Sequence, residues 1–205
     1  MDGILRVIRS GLDLPVFYQL WWKMVGGPTC AKLLAREYMP QRSGSRILEI
    51  GCGPGSILPY LRPTDYTGFD LNAKYIEHAK KRYPQAQFTC ARVNQYTLAQ
   101  QESFDAALAI GIVHHLDDEE AKQLFQIAHD ALKAGGKLVT MDPVRTTGQS
   151  ATVRWLFERD RGKYVRDEAG YLRIASQVFT KTNSAVRTDL LRIPYTHLIL
   201  ECIRQ

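Results

Sequence analysis

The chain has 205 residues and a mass of 23.3 kDa, with 45% hydrophobic and 23% charged side chains, a composition that suits one soluble, globular domain with a substantial core. No apolar stretch reaches the ~18 residues of a membrane span, and Met1-Asp2-Gly3-Ile4-Leu5-Arg6 lacks the pattern of a signal peptide, so the cytoplasm is the expected compartment. Lys and Arg number 27 against 21 acids, a net charge of +6 that fits an anionic partner without separating nucleic acid, acidic lipid and phosphorylated metabolite. Cys30, Cys52, Cys90 and Cys202 are scattered, with no C-x-x-C pair, so free thiols are expected and neither a zinc site nor a redox motif.

Residues 1–45 place Ile4, Leu5, Ile8, Leu12, Phe17, Leu20, Trp21 and Met24 at near-helical spacing among Arg6, Arg9 and Lys23. This reads as a helical cap over the rest of the chain; sealing of the core by the aromatics and docking on a lipid interface are the competing readings. At Arg46–Gly51 a short apolar strand carries an acid, Glu49, and opens into the turn Gly51-Cys52-Gly53-Pro54-Gly55-Ser56. Glycines there allow positive φ and bring backbone N–H groups to face a bound molecule at the mouth of a helix expected after Gly55. Asp70 closes a second strand, Asp65–Asp70, about 20 residues on, where a doubly wound sheet holds a ribose diol with a carboxylate. A dinucleotide fingerprint wants Gly or Ala where Ser56 stands, and Pro54 removes an N–H that a pyrophosphate would use.

Beyond Asp70 the alternation continues with a helix at Ala73–Arg82, strands at Ala86–Arg92 and Phe104–Ile110, a helix at Asp118–Leu132 and a strand at Lys137–Met141. Asp117 with Glu120 marks the start of the long helix, and Gly135-Gly136 its stop. The last strands fall at Ala185–Ile193 and Tyr195–Cys202, with Pro194 alone between them, which predicts an antiparallel hairpin. The fold class is therefore α/β, a doubly wound, seven-stranded, mostly parallel sheet with an antiparallel last strand and helices on both faces. One domain divides by role into a cap (1–45), a cofactor-binding half (46–142), an insertion or lid (143–183) and the terminal hairpin (184–205).

The ordered set Glu49-x-Gly51-x-Gly53-x-Gly55, Asp70-Leu71, Phe104–Ala109 and Leu132–Val139 resembles the class I S-adenosylmethionine-dependent methyltransferases over about half of the chain. The resemblance implies S-adenosylmethionine as cofactor, held by Glu49, Gly51, Cys52, Gly53, Asp70, Leu71 and Ile110. It also implies a contact from the N-terminal cap, for which Tyr18 is the candidate. Where the family often carries an acid after the third strand this chain has Ala91-Arg92-Val93, and Arg cannot accept from an adenine amine, so backbone at Arg92 and Val93 is expected to serve.

Methyl transfer needs positioning above all, and a base only where the acceptor is protonated. His114 and His115, just past the fourth strand, are the candidates, against a reading in which one caps a helix and the other packs beneath it. The insertion carries Arg159, Arg161, Lys163 and Arg166 at the carboxyl edge of the sheet; Arg161, Tyr164 and Arg166 are the candidate acceptor contacts, and a solvated loop is the alternative. The expected function is methylation of a small acceptor, an anionic one fitting the basic charge, with no metal. A nucleic-acid methyltransferase and a non-catalytic S-adenosylmethionine-binding regulator are the alternatives.

Overall fold

The computed structural model describes residues 14–62, 64–159 and 162–205. Seven strands form one sheet: β1 (Ser45–Ile50), β2 (Thr64–Asp70), β3 (Gln87–Cys90), β4 (Phe104–Ile110), β5 (Leu132–Pro143), β6 (Lys181–Arg187) and β7 (His197–Ile203). Their order is β3-β2-β1-β4-β5-β7-β6; the first five are parallel, and β7 pairs antiparallel with both β5 and β6. The chain reverses direction across the sheet at β1/β4, so the crevice at the carboxyl ends of these strands is where such sheets bind ligands.

Among the described residues six helices surround the sheet: α1 (Pro15–Met24), α2 (Gly27–Tyr38), α3 (Ala73–Arg82), α4 (Asp118–Ala131), α5 (Ala151–Arg159) and α6 (Glu168–Ala175). Side chains alternate across each strand. Leu48, Ile50, Ala107 and Ala109 therefore face Leu124, Phe125, Tyr171 and Ile174 of α4 and α6. Ile47, Ala106 and Leu108 face Cys30, Ala31 and Leu34 of α2 and Ile76 and Ala79 of α3. The helix starts are capped as their sequences dictate, Asn72 accepting from Lys74 and Tyr75 N–H, Asp117 from Glu120 N–H and Asp167 from Gly170 N–H.

Three sequence expectations are corrected. The helix after Gly55 is a single 3-10 turn, Leu58–Tyr60, with Pro59 in its first turn, and α2 covers this part of the sheet instead. The terminal strands are antiparallel neighbours but not a hairpin about Pro194, because β6 begins at Lys181 and nine residues separate it from β7. The apolar run Leu190-Leu191 belongs to that connection, where Leu190 is buried against the α2 face and Arg192 N–H donates to Val25 C=O at 2.8 Å. β6 is an outer strand exposed along both faces and lacks the apolar alternation that marks a buried one. Finally β5 starts early, because Leu132 pairs with Phe104 across an irregularity before regular pairing resumes at Lys137.

Candidate functional site

The loop after β1 is built to turn its amides inward. Gly51, Gly53 and Gly55 all have positive φ (72°, 52° and 75°). Gly51 and Cys52 N–H donate to Phe69 C=O at 2.8 and 3.0 Å, Gly53 N–H to Asp70 Oδ2 at 2.9 Å and Gly55 N–H to Cys52 C=O at 3.0 Å. The expectation that these N–H groups face a bound molecule is therefore corrected: four of them are committed to the loop and to β2, which leaves a poor cradle for a pyrophosphate. At Gly51 a side chain is barred because an added Cβ would lie 2.5 Å from Ile112 Cδ1, whereas at Gly53 it would meet only Tyr75, at 4.0 Å. Gly53 thus presents bare backbone to open space.

Two acids stand beside this loop, Glu49 on the strand that leads into it and Asp70 against Gly53. Asp70, at the end of β2, accepts from Gly53 N–H through Oδ2 and from Asn72 N–H at 2.8 Å through Oδ1. Its burial raises its pKa and those two hydrogen bonds oppose the rise. Each oxygen retains lone-pair capacity for a further donor. Glu49, on β1, is buried and accepts from Tyr66 O–H. Burial pushes its pKa up to about 8, the Tyr66 bond opposing and the nearby Asp70 charge adding. Leu71, 66% exposed, places an apolar plate beside Asp70.

Tyr18, Trp22, Glu49, Gly51, Cys52, Gly53, Ser56 and Ile110 are among the residues enclosing a cavity of about 40 Å³ between α1 and the loop. Ser56 Oγ is buried there without a hydrogen-bond partner among the described residues. The Cys52 thiol is buried, and its pKa is raised well above the ordinary range by burial and then by the Glu49 and Asp70 charges, so it is inert toward nucleophilic chemistry. The enclosed space suits a small group only, and a longer ligand must extend over Gly53 toward Asp70 or displace Tyr18 and Trp22. The two acids beside the loop, an unpartnered hydroxyl and the side-chain-free surface at Gly53 fit an adenosyl amino acid better than a dinucleotide.

Beyond β3, Arg92 is exposed at the entrance to the turn Val93–Gln95, and Val93 is buried with Phe69 and Val113. Ala91 N–H donates to Asp70 C=O at 3.0 Å, which fixes this turn beside the ribose-binding candidate. A larger cavity, about 410 Å³, lies elsewhere, among Arg46, Thr67, Gln87, Thr89, Tyr96 and Gln100. It opens where only a 3-10 turn separates β3 from β4 and holds no acid and no histidine, so it is not the site.

At the ends of β4 and β5 the two histidines part. His115 is exposed, whereas His114 is buried. His114 Nδ1 is 2.7 Å from Asp142 Oδ1, and the same oxygen accepts from His114 N–H at 3.1 Å. An ionised Asp142 makes Nδ1 the protonated nitrogen and assigns the basic lone pair to Nε2. Asp142 Oδ2 is buried without a partner among the described residues. Cε1 of the imidazole lies 3.9 Å from where a Cβ on Gly111 would stand, next to Ile110 of the cofactor cavity.

The insertion closes on this turn. Gly162 packs so tightly on the imidazole that a Cβ there would fall 1.9 Å from His114 Cδ2, and Tyr164 N–H donates to His114 C=O at 3.0 Å. Arg166 donates to Val113 C=O at 3.2 Å, to Leu116 C=O at 2.8 Å and to Asp118 at 2.8 Å. Its donors are thus occupied, and the acceptor-binding role expected of Arg166 is corrected to positioning of the His114 turn. Tyr164 is partly exposed, and Arg161 lies outside the described residues. Sequence reasoning missed Tyr66, Trp22, Ser56, Gly162 and Asp142; the last had a usable signal, since Met141-Asp142-Pro143 ends a strand in an acid just as Asp70 does.

With this geometry in view, a family profile described as a methyltransferase domain matches residues 47–136. The chain is 31% identical over 114 residues to the 27-O-demethylrifamycin SV methyltransferase of Amycolatopsis mediterranei, covering 51% of this chain and 40% of that protein. It is 32% identical over 82 residues to the probable tRNA methyltransferase 9B of Homo sapiens, covering 40% of this chain and 17% of that one. The chain therefore spans less than half the length of either relative. Among solved structures, phosphoethanolamine N-methyltransferase 2 of Haemonchus contortus in complex with S-adenosyl-L-methionine superposes with a TM-score of 0.76 at 16% identity, over 97% of this chain and 60% of that one. The profile matches less than half of the chain, and at 16% identity the structural likeness shows the fold alone, a Rossmann-like α/β sheet in the order β3-β2-β1-β4-β5-β7-β6.

Proposed function

We propose that the protein binds S-adenosylmethionine across the β1 loop and transfers its methyl group to a small organic acceptor. The observation that carries this reading is the pair of acids beside one glycine loop, Asp70 accepting from Gly53 N–H and Glu49 buried on β1 behind the loop. Asp70, already aligned by Gly53 and Asn72 N–H, would accept from the ribose hydroxyls; Glu49, ionised on binding, would face the ammonium of the methionine end. Leu71 and the backbone at Arg92 and Val93 would flank the adenine, and Tyr18, Cys52 and Ile110 would pack on the sulfur end. Bound there, the cofactor supplies a methyl group activated by a sulfonium charge, so that positioning and exclusion of water are the protein's main tasks. For a hydroxyl or ammonium acceptor, His114 Nε2 would take the proton while Asp142 stabilises the imidazolium. Tyr164 and Lys163, exposed on the insertion, are the remaining acceptor-contact candidates.

A small acceptor is favoured by the enclosure of the His114 turn beneath Gly162 and Tyr164, which leaves little room for a folded nucleic acid. The net charge of +6 and the tRNA methyltransferase relative favour the RNA reading, which the test therefore includes. Calorimetry with S-adenosylmethionine, its demethylated product and a nicotinamide dinucleotide is expected to show binding of the first two alone. Methyl-labelled S-adenosylmethionine incubated with small-molecule and RNA fractions of a lysate is then expected to label the former. Label confined to RNA would select the RNA reading, and binding without label in either would select a non-catalytic one.

A further inference from the structure

Helix α1 turns its more apolar face outward. At about 100° per residue, Tyr18, Gln19 and Trp22 share the side toward the body. Tyr18 stands 5.4 Å from Tyr75 between ring centroids, and Gln19 Nε2 lies 3.1 Å from His78 Nε2. On the other side Val16, Phe17, Leu20 and Met24 fall within one arc and are 68, 54, 55 and 62% exposed. No residue of the helix is buried. A contiguous apolar ridge of this kind marks an interaction surface.

Its flanks are basic. Lys23 borders the ridge on α1 itself. On α3, Lys74 and Lys81 lie one turn to either side of His78, the residue that meets Gln19, and the whole helix carries Lys74, Lys80, Lys81 and Arg82 against one acid, Glu77. A second copy seated on this ridge about a two-fold axis would bring the two basic flanks together, with Glu77 the only acid on α1 and α3 to offset them among the described residues, a repulsive arrangement. A surface of lipid phosphates supplies the opposite charge.

We propose that α1 docks this protein on an anionic membrane surface. Val16, Phe17, Leu20 and Met24 enter the boundary between headgroups and acyl chains, and Lys23, Lys74 and Lys81 meet the headgroup phosphates. Tyr18 and Trp22, on the inner side of the same helix, enclose the cavity with Glu49 and Gly53. In the part that rests on the methyl-transfer reading, an acceptor with an apolar tail reaches the site from the bilayer, whereas the docking itself does not depend on that reading.

Flotation of the full chain with vesicles of phosphatidylcholine alone, and of phosphatidylcholine mixed with phosphatidylglycerol, tests this. Binding is expected to the mixed vesicles, at least tenfold weaker to the neutral ones and weakened by salt. Leu20→Ser and Phe17→Ser, both at exposed positions, are each expected to reduce it about five- to tenfold, and Lys74→Gln and Lys81→Gln about fivefold each. Affinity for S-adenosylmethionine, measured by calorimetry on the same variants, is expected to stay at the parent value, so that loss of docking and failure of the cofactor reading are told apart. Absence of binding to both vesicle types, or binding that Leu20→Ser and Phe17→Ser leave unchanged, would overturn the proposal. So would a dimer in sedimentation that Leu20→Ser dissociates, which would give the ridge to a second copy.

Discussion

Replacing Asp70 separates a loop-holding role from a ligand-holding one. Its two oxygens accept from Gly53 N–H at 2.9 Å and Asn72 N–H at 2.8 Å, so Asp70→Ala removes a charged acceptor from two amides at once. The site is half-buried and water can reach it, so the expected stability cost is about 2 kcal/mol, below the sum of two fully buried losses. For a chain of this size that lowers Tm by roughly 4–8 °C and leaves the fold intact. The diol contact adds its own loss, ~1.5–3 kcal/mol for a charge-assisted hydrogen bond, or roughly a 10- to 150-fold rise in Kd for S-adenosylmethionine. Asp70→Asn is the informative companion. Its amide has one acceptor oxygen for two facing donors, so an NH₂ group must meet either Gly53 or Asn72 N–H, and the variant should fare no better than alanine. Calorimetry and thermal denaturation on both variants check the argument. Parent-like affinity in Asp70→Ala, full affinity and stability in Asp70→Asn, or stronger binding of a nicotinamide dinucleotide would refute it.

Gly53→Val is expected to abolish cofactor binding while circular dichroism stays native, because an added Cβ meets only Tyr75, at 4.0 Å, and the positive φ costs at least ~1–2 kcal/mol; global unfolding would show the glycine to be structural first. Glu49 has a folded pKa of about 8 against 4.5 for the free side chain, so its contribution to stability is full below pH 4.5 and is lost as pH rises through 8. Glu49→Gln should flatten that part of the Tm profile, and calorimetry of S-adenosylmethionine in buffers of different ionisation enthalpy, near neutral pH, should show proton release that the variant lacks. With an acceptor that must be deprotonated, His114→Ala should lower turnover ~10²–10⁴-fold at unchanged cofactor affinity. Asp142→Asn should lower it roughly 10- to 100-fold, while His115→Ala leaves it near the parent value; equal losses at both histidines would remove the distinction drawn from their burial.

The sheet was legible because its strands are locally distinctive. Apolar runs ending in Glu49, Asp70 and Ile110 mark buried parallel strands, and helix starts at Asn72 and Asp117 carry their own caps. What escaped was set by contacts across the chain. Nothing local in Ser56–Arg62 says that α2 will take the place of a helix there, although Pro59 argues against one. β6 has no buried face to give it a pattern, so the stronger apolar run at Leu190 drew the strand to the wrong place. The glycine loop could be read residue by residue, but the direction of its amides depends on Phe69 C=O and Asp70, which approach only when β2 pairs with β1. Adjacent histidines give no hint of which one will be buried; that is decided by Asp142 and by Gly162, 28 and 48 residues further on.

The two flanking segments lie over different ends of the sheet crevice, and this separates what must stay constant from what can vary. α1 meets the β1 loop through Tyr18 and Trp22, where the proposed ligand is the same for any methyl acceptor. The segment from Gly162 to Arg166 meets the turn after β4, where it touches backbone oxygens and one imidazole, and it is held further by Asp118 of α4 and by Arg145. Contacts to backbone oxygens depend on geometry rather than on the residues of the turn, so the insertion can change sequence at Lys163 and Tyr164 while Arg166 keeps His114 in place. Asp142 fixes the same imidazole from β5, inside the core. The proposed base, held by the sheet on one side and by the Arg166 contacts on the other, would serve acceptors of different shape, because the residues proposed to recognise them are not the residues that position it.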